Sequence, residues 1–312
     1  MKREPSDKKD SPANEAGRSA RAGKTPALQT GPGGPDAPDR GAADARGSGT
    51  EWNVAAAAEL VRNGIGSDIF GRIWAVWGIL LFVSTMLVFL IPFLLFCYFL
   101  KDPVKTSRFN RFSRAWMAVF LTGIGCPLRI RGKEKFQKGQ TYIVVCNHNS
   151  LMDVPISSPG IPAGNKTIAK TSFAKVPIFG LMYSTGSVLV DRNSETSRRE
   201  SFNKMKEVLE MGLHMCLYPE GTRNKTGDPL KSFHDGAFRL AINTGAAIIP
   251  AVIFNTKKVL PVHKPFFLRP LPLYMHFLDP IAIQPGDNVG SLKEKVFRIM
   301  WDYYTANAPA PY

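Results

Sequence analysis

Twenty-eight consecutive residues without a charge, 73–100 (IWAVWGILLFVSTMLVFLIPFLLFCYFL), dominate the hydropathy pattern of this chain. An upright helix needs only about 20 apolar residues to cross the hydrocarbon core of a bilayer, so a run of this length predicts residence in lipid. Trp74 and Trp77 near one end and Tyr98 near the other suit the two membrane interfaces. Lys101, Lys105, Arg108, Arg111 and Arg114 follow at once, and this basic flank predicts that the next domain is cytoplasmic. Surplus length and Pro92 fit either a tilted or kinked single span or a hairpin that dips in and returns.

Beyond residue 115 the pattern changes to short apolar runs rich in β-branched residues, alternating with amphipathic stretches, which is the signature of an α/β domain. Strands are predicted over 142–146, 166–169, 186–190, 214–218, 247–253 and 273–278. Helices are predicted over 195–211, where Phe202, Met205, Val208 and Leu209 share a face, and over 233–244, with Phe233, Ala237, Leu240 and Ala241. Gly212 and Gly245 offer their stops. A third, 291–305, carries the stripe Leu292, Val296, Met300 and Tyr303. Residues 1–50 contain no valine, isoleucine or aromatic residue and cannot repay the entropy of ordering, so a disordered tail is expected there. It lacks the early apolar stretch of a signal peptide. The chain therefore divides into this tail, a membrane-associated helical segment over 51–114, and an α/β domain over 115–312.

Composition narrows the partners. A formal charge of +15 and a pI near 9.8 suit a protein that meets polyanions: nucleic acid, anionic headgroups or phosphorylated small molecules. The tail has only a slight positive excess, which argues against a nucleic-acid arm. Cys97, Cys126, Cys146 and Cys216 show no C-x-x-C spacing and read as reduced, buried thiols.

Two short segments carry chemistry. The run 141–146 reads as a buried strand that delivers Asn147 and His148 to its carboxyl end, where ligand crevices of open α/β sheets lie. Asp153 follows five residues later, close enough for its carboxylate to fold back onto one ring nitrogen of His148 and leave the other to accept a proton. There is no G-x-S-x-G elbow, so the attacking hydroxyl is expected to be the substrate's own. The second segment, Tyr218-Pro219-Glu220-Gly221-Thr222-Arg223, follows the strand candidate at 214–218. Its glycine permits close backbone approach, its threonine offers a hydroxyl, and its arginine offers a fork of donors suited to phosphate.

With HNSLMD after a strand and YPEGTR some seventy residues later, the chain resembles the glycerolipid acyltransferases, whose best-known members are the lysophosphatidic acid acyltransferases. Lys170 with Val176-Pro177-Ile178-Phe179-Gly180, then Gly186 and Val190-Asp191-Arg192, is similar to that family's glycerophosphate-binding block. The segment Ala247-Ile248-Ile249-Pro250-Ala251-Val252 is similar to its hydrophobic fourth block, and Phe233, Gly236 and Ala237 fall where the family has its helix after the third. The blocks stand in family order across roughly residues 125–285. This resemblance implies a mixed sheet flanked by helices, with 115–312 as an acyltransferase domain. It implies His148 as general base and Asp153 as its orienting partner. Lys170, Arg192, Gly221 and Arg223 would bind the phosphate side, Glu220 and Thr222 would shape that pocket, and Pro250 would help shape the acyl-donor site. Tyr218 stands where phenylalanine is commoner, Ser172 where glutamate is frequent, and His234-Asp235 where basic residues are frequent, which bears on the polar substrate.

The implied reaction is acyl transfer from an acyl-coenzyme A or acyl carrier protein thioester to the free hydroxyl of 1-acyl-glycerol-3-phosphate. It needs no cofactor beyond that co-substrate, no metal and no nucleic-acid partner. The expected setting is a bacterial inner membrane, with the catalytic domain on the cytoplasmic side and a membrane lipid as acceptor. Acylation of glycerol-3-phosphate or of a lyso-aminolipid such as lyso-ornithine lipid, a catalytically silent lipid-binding scaffold, and a thioesterase or lipase using water are the competing readings.

Overall fold

The structure, a computed structural model, describes residues 49–309 apart from Arg192. The tail expected over 1–50 falls, but for its last two residues, outside the described residues. The chain begins with α1 (Gly49–Phe96), α2 (Val104–Gly123), β1 (Leu128–Arg131) and β2 (Tyr142–Cys146). Next come α3 (Asp153–Gly160), β3 (Asn165–Lys170), α4 (Thr171–Ala174), α5 (Phe179–Thr185), β4 (Ser187–Val190) and α6 (Glu195–Glu210). It closes with β5 (His214–Leu217), α7 (Gly236–Thr244), β6 (Ala247–Phe254), α8 (Thr256–Val259), β7 (Leu273–Phe277) and α9 (Val289–Asn307).

The seven strands form one sheet in the order β1-β7-β6-β2-β5-β3-β4. All pairings are parallel except β6 with β7, so the sheet is mixed and flanked by helices, as the resemblance implies. Alternation along the central strand β2 explains the two layers: Tyr142, Val144 and Cys146 enter the core beneath α1, α2 and α3, whereas Ile143 and Val145 enter the core beneath α6, α7 and α9. Because β2, β3, β4, β5 and β6 run the same way, their carboxyl ends share one edge of the sheet, where ligand crevices form in such folds.

Each strand expected from the sequence appears within about two residues of its observed limits, whereas β1 has no counterpart among them. Its four residues, Leu-Arg-Ile-Arg, alternate apolar and charged on an edge strand with one face half-buried, a signal too short to stand out. Helix α3 was also unexpected, because two prolines fall within Asp153–Gly160. Pro155 sits in the first turn, where its missing N–H breaks no hydrogen bond, and the helix ends just after Pro159. All four cysteines are free and buried.

Helix α1 is unbroken to Phe96 despite Pro92, so the apolar run contains no hairpin turn of its own before residue 97. Gly66–Phe96 is the stretch, among the described residues, long and apolar enough to cross a membrane. After a short connection α2 folds back antiparallel along it. Phe93 meets Phe109 edge-on at 5.7 Å, Phe82 meets Trp116 at 5.2 Å, and the Trp116 indole donates to Thr85 Oγ1 at 3.0 Å. At the far end of α2 the indoles of Trp74 and Trp77 donate to the carbonyls of Ile124 (2.9 Å) and Gly123 (3.0 Å). Carbonyls at a helix end lack partners within the helix, and these two tryptophans cap them. One flank of α1 is thus part of the fold, while Ile73, Val76, Leu80, Val88, Ile91 and Leu95 stay exposed. Arg114, from the basic flank, turns inward and donates to the carbonyl of Pro159 in the last turn of α3 and to those of Ile161 and Ala163 just beyond it.

If α1 is integral to the domain, Phe93, which is fully buried, carries part of its stability. Phe93→Ala is expected to cost about 3–5 kcal/mol in urea unfolding of the detergent-solubilised chain. A change below about 1 kcal/mol, as for a surface substitution, would show that α1 folds apart from the sheet.

Candidate active site

Strand β2 ends at Cys146, and the side chain of Asn147 continues its pairing with β6. Asn147 Nδ2 donates to the Ile253 carbonyl at 3.0 Å, and Ile253 N donates to Asn147 Oδ1 at 2.7 Å. This fully buried amide anchors the peptide that leads into His148. The chain then turns sharply, and the carboxylate of Asp153, the first residue of α3, closes the turn. Asp153 Oδ2 accepts from the backbone N–H of Asn149 (2.6 Å) and of Ser150 (2.7 Å), and lies 2.8 Å from His148 Nδ1. Ser150 Oγ donates to the Leu260 carbonyl at 2.8 Å and pins the same turn to the opposite loop.

An ionised carboxylate can only accept, so this contact places the imidazole proton on Nδ1 and leaves the Nε2 lone pair free. Asp153 is fully buried, and its charge is offset by two backbone donors and by the positive end of α3. The His148 side chain keeps 17% of its surface exposed, so the ring is held from behind yet open at one edge.

The loop after β5 supplies the other wall. The Tyr218 ring stacks on the His148 imidazole with centroids 4.5 Å apart and planes at 29°. Its hydroxyl meets Ser157 Oγ of α3 at 2.6 Å, which satisfies the polar group that a phenylalanine would lack. Glu220 is fully buried and turns inward: Oε1 accepts from His148 N at 2.8 Å and Oε2 from Lys231 N at 3.2 Å. Asn224 N donates to the His148 carbonyl at 2.6 Å. Both backbone polar groups of His148 are therefore held by the 218–224 segment. Burial pushes the Glu220 carboxyl up to about 7, against the pull of its two backbone donors.

Gly221 adopts φ +70°, and a Cβ there would lie 2.7 Å from His234 Cδ2, so both conformation and space require glycine. Thr222 Oγ1 accepts from Lys231 Nζ at 2.9 Å. Arg223 is half-buried and makes no hydrogen bond or ion pair among the described residues. Lys170 is exposed at the carboxyl end of β3, on the same edge of the sheet.

The structure thus brings His148, Asp153, Glu220, Gly221, Thr222 and Arg223 together, with Glu220 facing the protein interior rather than an open pocket. Pro250 does not join them. It lies inside β6 paired with Val145, its carbonyl accepting from Leu278 N at 2.8 Å, three residues along the sheet from His148. Arg192 lies outside the described residues. Ser157, Lys231 and Asn224 support the site without having stood out in the sequence. Ser157 is four residues beyond Asp153, one helical turn, and becomes visible once α3 is known. Lys231 and Asn224 bond through loop geometry that leaves no periodic trace.

Residues 127–254 match the family described as Acyltransferase. A 1-acyl-sn-glycerol-3-phosphate acyltransferase of Cocos nucifera is 32% identical over 160 residues, 51% of each chain. One of Saccharomyces cerevisiae is 29% identical over 189 residues, 59% of this chain and 62% of that protein. The crystal structure of the 1-acyl-sn-glycerophosphate (LPA) acyltransferase PlsC from Thermotoga maritima shares the fold with a TM-score of 0.64 at 20% identity, covering 78% of this chain and 99% of that one. The chain spans about half the length of the first of these curated relatives.

The buried Glu220 makes a pH prediction. Its folded pKa of about 7 lies above its ordinary 4.5, so the native state holds this proton more tightly than the unfolded chain. The contribution is fully present below pH 4.5 and is lost as pH rises to about 7, by roughly 3 kcal/mol. Glu220→Gln is expected to flatten that interval in urea-unfolding stability measured against pH. Parallel curves for the two proteins would contradict it.

Proposed function

We propose that the acyltransferase domain carried by residues 127–254 moves a fatty-acyl group from an acyl-coenzyme A or acyl carrier protein thioester to the free hydroxyl of 1-acyl-glycerol-3-phosphate, giving phosphatidic acid. The observation that carries this reading is the His148–Asp153 contact at 2.8 Å with Nε2 left open beside the 218–223 loop. The likeness to acyltransferases of plant and yeast supports the acceptor class.

The acceptor's phosphate is held by Arg223, assisted by Lys170 and Arg192, and this positions its hydroxyl at His148 Nε2. As the oxygen attacks the thioester carbonyl, Nε2 takes the hydroxyl proton and Asp153 stabilises the imidazolium that forms. Collapse of the tetrahedral intermediate breaks the carbon–sulfur bond, and the proton on His148 passes to the departing thiolate. Tyr218 and Glu220 act by holding the imidazole and its backbone in place.

Lipid enters through the architecture of α1. One flank of this helix is packed against α2 and the loop at 267–268, whereas the other presents apolar side chains. A helix bound along its length to a polar domain sits with its apolar face in one leaflet, the domain beside it at the surface. The active site then meets an acceptor that never leaves the bilayer.

The test is mass spectrometry of the lipids formed by the purified, detergent-solubilised chain from a panel of lysolipids and glycerol-3-phosphate, with both thioester donors. Phosphatidic acid from lysophosphatidate is the expected product, and His148→Ala is expected to lose on the order of 10²–10⁴ in rate while keeping the fold. Acylation of another lysolipid with lysophosphatidate ignored would overturn the substrate. Full activity in a folded His148→Ala chain would overturn the base.

A further inference from the structure

Between α8 and β7 the chain leaves the sheet in a loop, 260–272, that carries the neighbouring phenylalanines Phe266 and Phe267, and the fold treats the two rings oppositely. Phe267 is buried against α1 at Gly71, where a Cβ would collide with its ring. Lys264 Nζ and Arg269 Cζ stand 5.1 Å and 5.7 Å from its centroid. Leu268 N donates to the Gly71 carbonyl at 2.9 Å, Lys264 pairs with Asp68 at 2.7 Å, and Arg269 donates to Ser67 Oγ at 2.9 Å. These contacts fasten the loop to a short stretch of α1. Phe266, by contrast, is 70% exposed.

Phe266 also takes φ +49°, a conformation that costs a bulky residue and that glycine adopts freely. A ring so exposed repays little of that cost by packing inside the fold, and backbone strain of this kind persists where the surrounding contacts enforce it. The surroundings are of one character. The loop is fastened to α1 where the charge-free run begins: Asp68 and Arg72 precede that run, and Ile69, Phe70 and Ile73 are exposed at the same level. Segment 257–269 carries Lys257, Lys258, Lys264 and Arg269 with no acidic residue, so Asp68 offsets only part of its charge.

We infer that the loop 263–269 makes a second contact with the bilayer, Phe266 inserting its ring at the boundary of the acyl chains while the cations around it face an anionic headgroup layer. An exposed aromatic ring among basic side chains suits that boundary, where apolar and cationic groups are both accommodated. The inference rests on the reading of α1 as the lipid-facing element and adds what α1 alone does not supply. A helix lying in one leaflet is free to roll about its axis; a contact off that axis fixes the roll and so fixes which edge of the domain faces the membrane. The catalytic turn is tied to this loop, because Ser150 Oγ donates to the Leu260 carbonyl six residues before Phe266. No more than about 20 Å of extended chain separates that carbonyl from the inserted ring.

The experiment attaches a nitrobenzoxadiazole fluorophore to Phe266→Cys in the full chain, reconstituted in nanodiscs of phosphatidylcholine with phosphatidylglycerol; the native cysteines are buried and escape the label. Val88→Cys, on the exposed side of α1, and Lys138→Cys, in the exposed turn before β2, are labelled in parallel. Lipids with doxyl groups on their acyl chains are expected to quench the label at 266 at least about half as strongly as the label at 88, and to leave the label at 138 bright. A label at 266 as bright as that at 138, with 88 quenched, would overturn the loop contact and leave the reading of α1 standing. Brightness at all three positions would overturn both. Protection of 266 from aqueous iodide without doxyl quenching would place protein over Phe266, such as a second copy of this chain, and would overturn lipid as the occupant. Phe266→Gly, which suits φ +49°, is expected to keep or raise the urea midpoint of the detergent-solubilised chain, since a ring that serves lipid contributes little to the fold. A lower midpoint would make Phe266 a structural residue and overturn the inference.

Discussion

One carboxylate oxygen organises the site. Asp153 Oδ2 receives the N–H of Asn149, the N–H of Ser150 and His148 Nδ1, all within 2.8 Å. A buried, isolated carboxylate is costly, and these three donors with the start of α3 are what make the charge tolerable. The same contacts force the turn after β2, fix the tautomer and aim Nε2 outward. Remove the charge, and the turn, the tautomer and the aim are lost together. The opposite side is held just as firmly: Glu220 and Asn224 take the two backbone groups of His148, and the Tyr218 ring covers one face of the imidazole. A base that moves little spends its binding contacts on orientation, which is where much of a transfer reaction's rate originates.

The rest of the architecture brings that base to its proposed acceptor. Parallel strands place the loop after β2 and the loop after β5 on one edge of the sheet, since β2 and β5 are direct neighbours. The opposite core layer ties α3, which begins with Asp153, to α2 and hence to α1. Catalytic turn and apolar helix therefore belong to one packed layer. The tryptophans of α1 illustrate the coupling: instead of serving only as interfacial anchors, Trp74 and Trp77 cap the end of α2.

Much of this was legible in the sequence, for identifiable reasons. The strands β2, β5 and β6 are short, fully buried or nearly so, and apolar apart from His214 at the start of β5, and buried parallel strands leave that trace. The His148 and Asp153 pair could be anticipated because its partners are only five residues apart and its geometry is local. Glu220 was different: the resemblance implied that it shapes the phosphate-side pocket, whereas its two acceptor contacts with His148 N and Lys231 N depend on packing between loops distant in sequence. Pro250 likewise carries a motif-level expectation that the sheet register alone does not supply. Edge strand β1 and the proline-containing α3 were hidden because alternating charge and Pro both weaken the local signals on which a sequence reading depends.

The claim at the centre is that Asp153 acts on the reaction through His148 and by no other route. A double-mutant cycle on acyl transfer to lysophosphatidate, comparing the parent chain with His148→Ala, Asp153→Asn and the pair, measures this directly. If the carboxylate works through the imidazole, Asp153→Asn lowers kcat in the parent and has no further effect once His148 is gone. Losses that multiply in the double variant would contradict it and would assign Asp153 a role of its own.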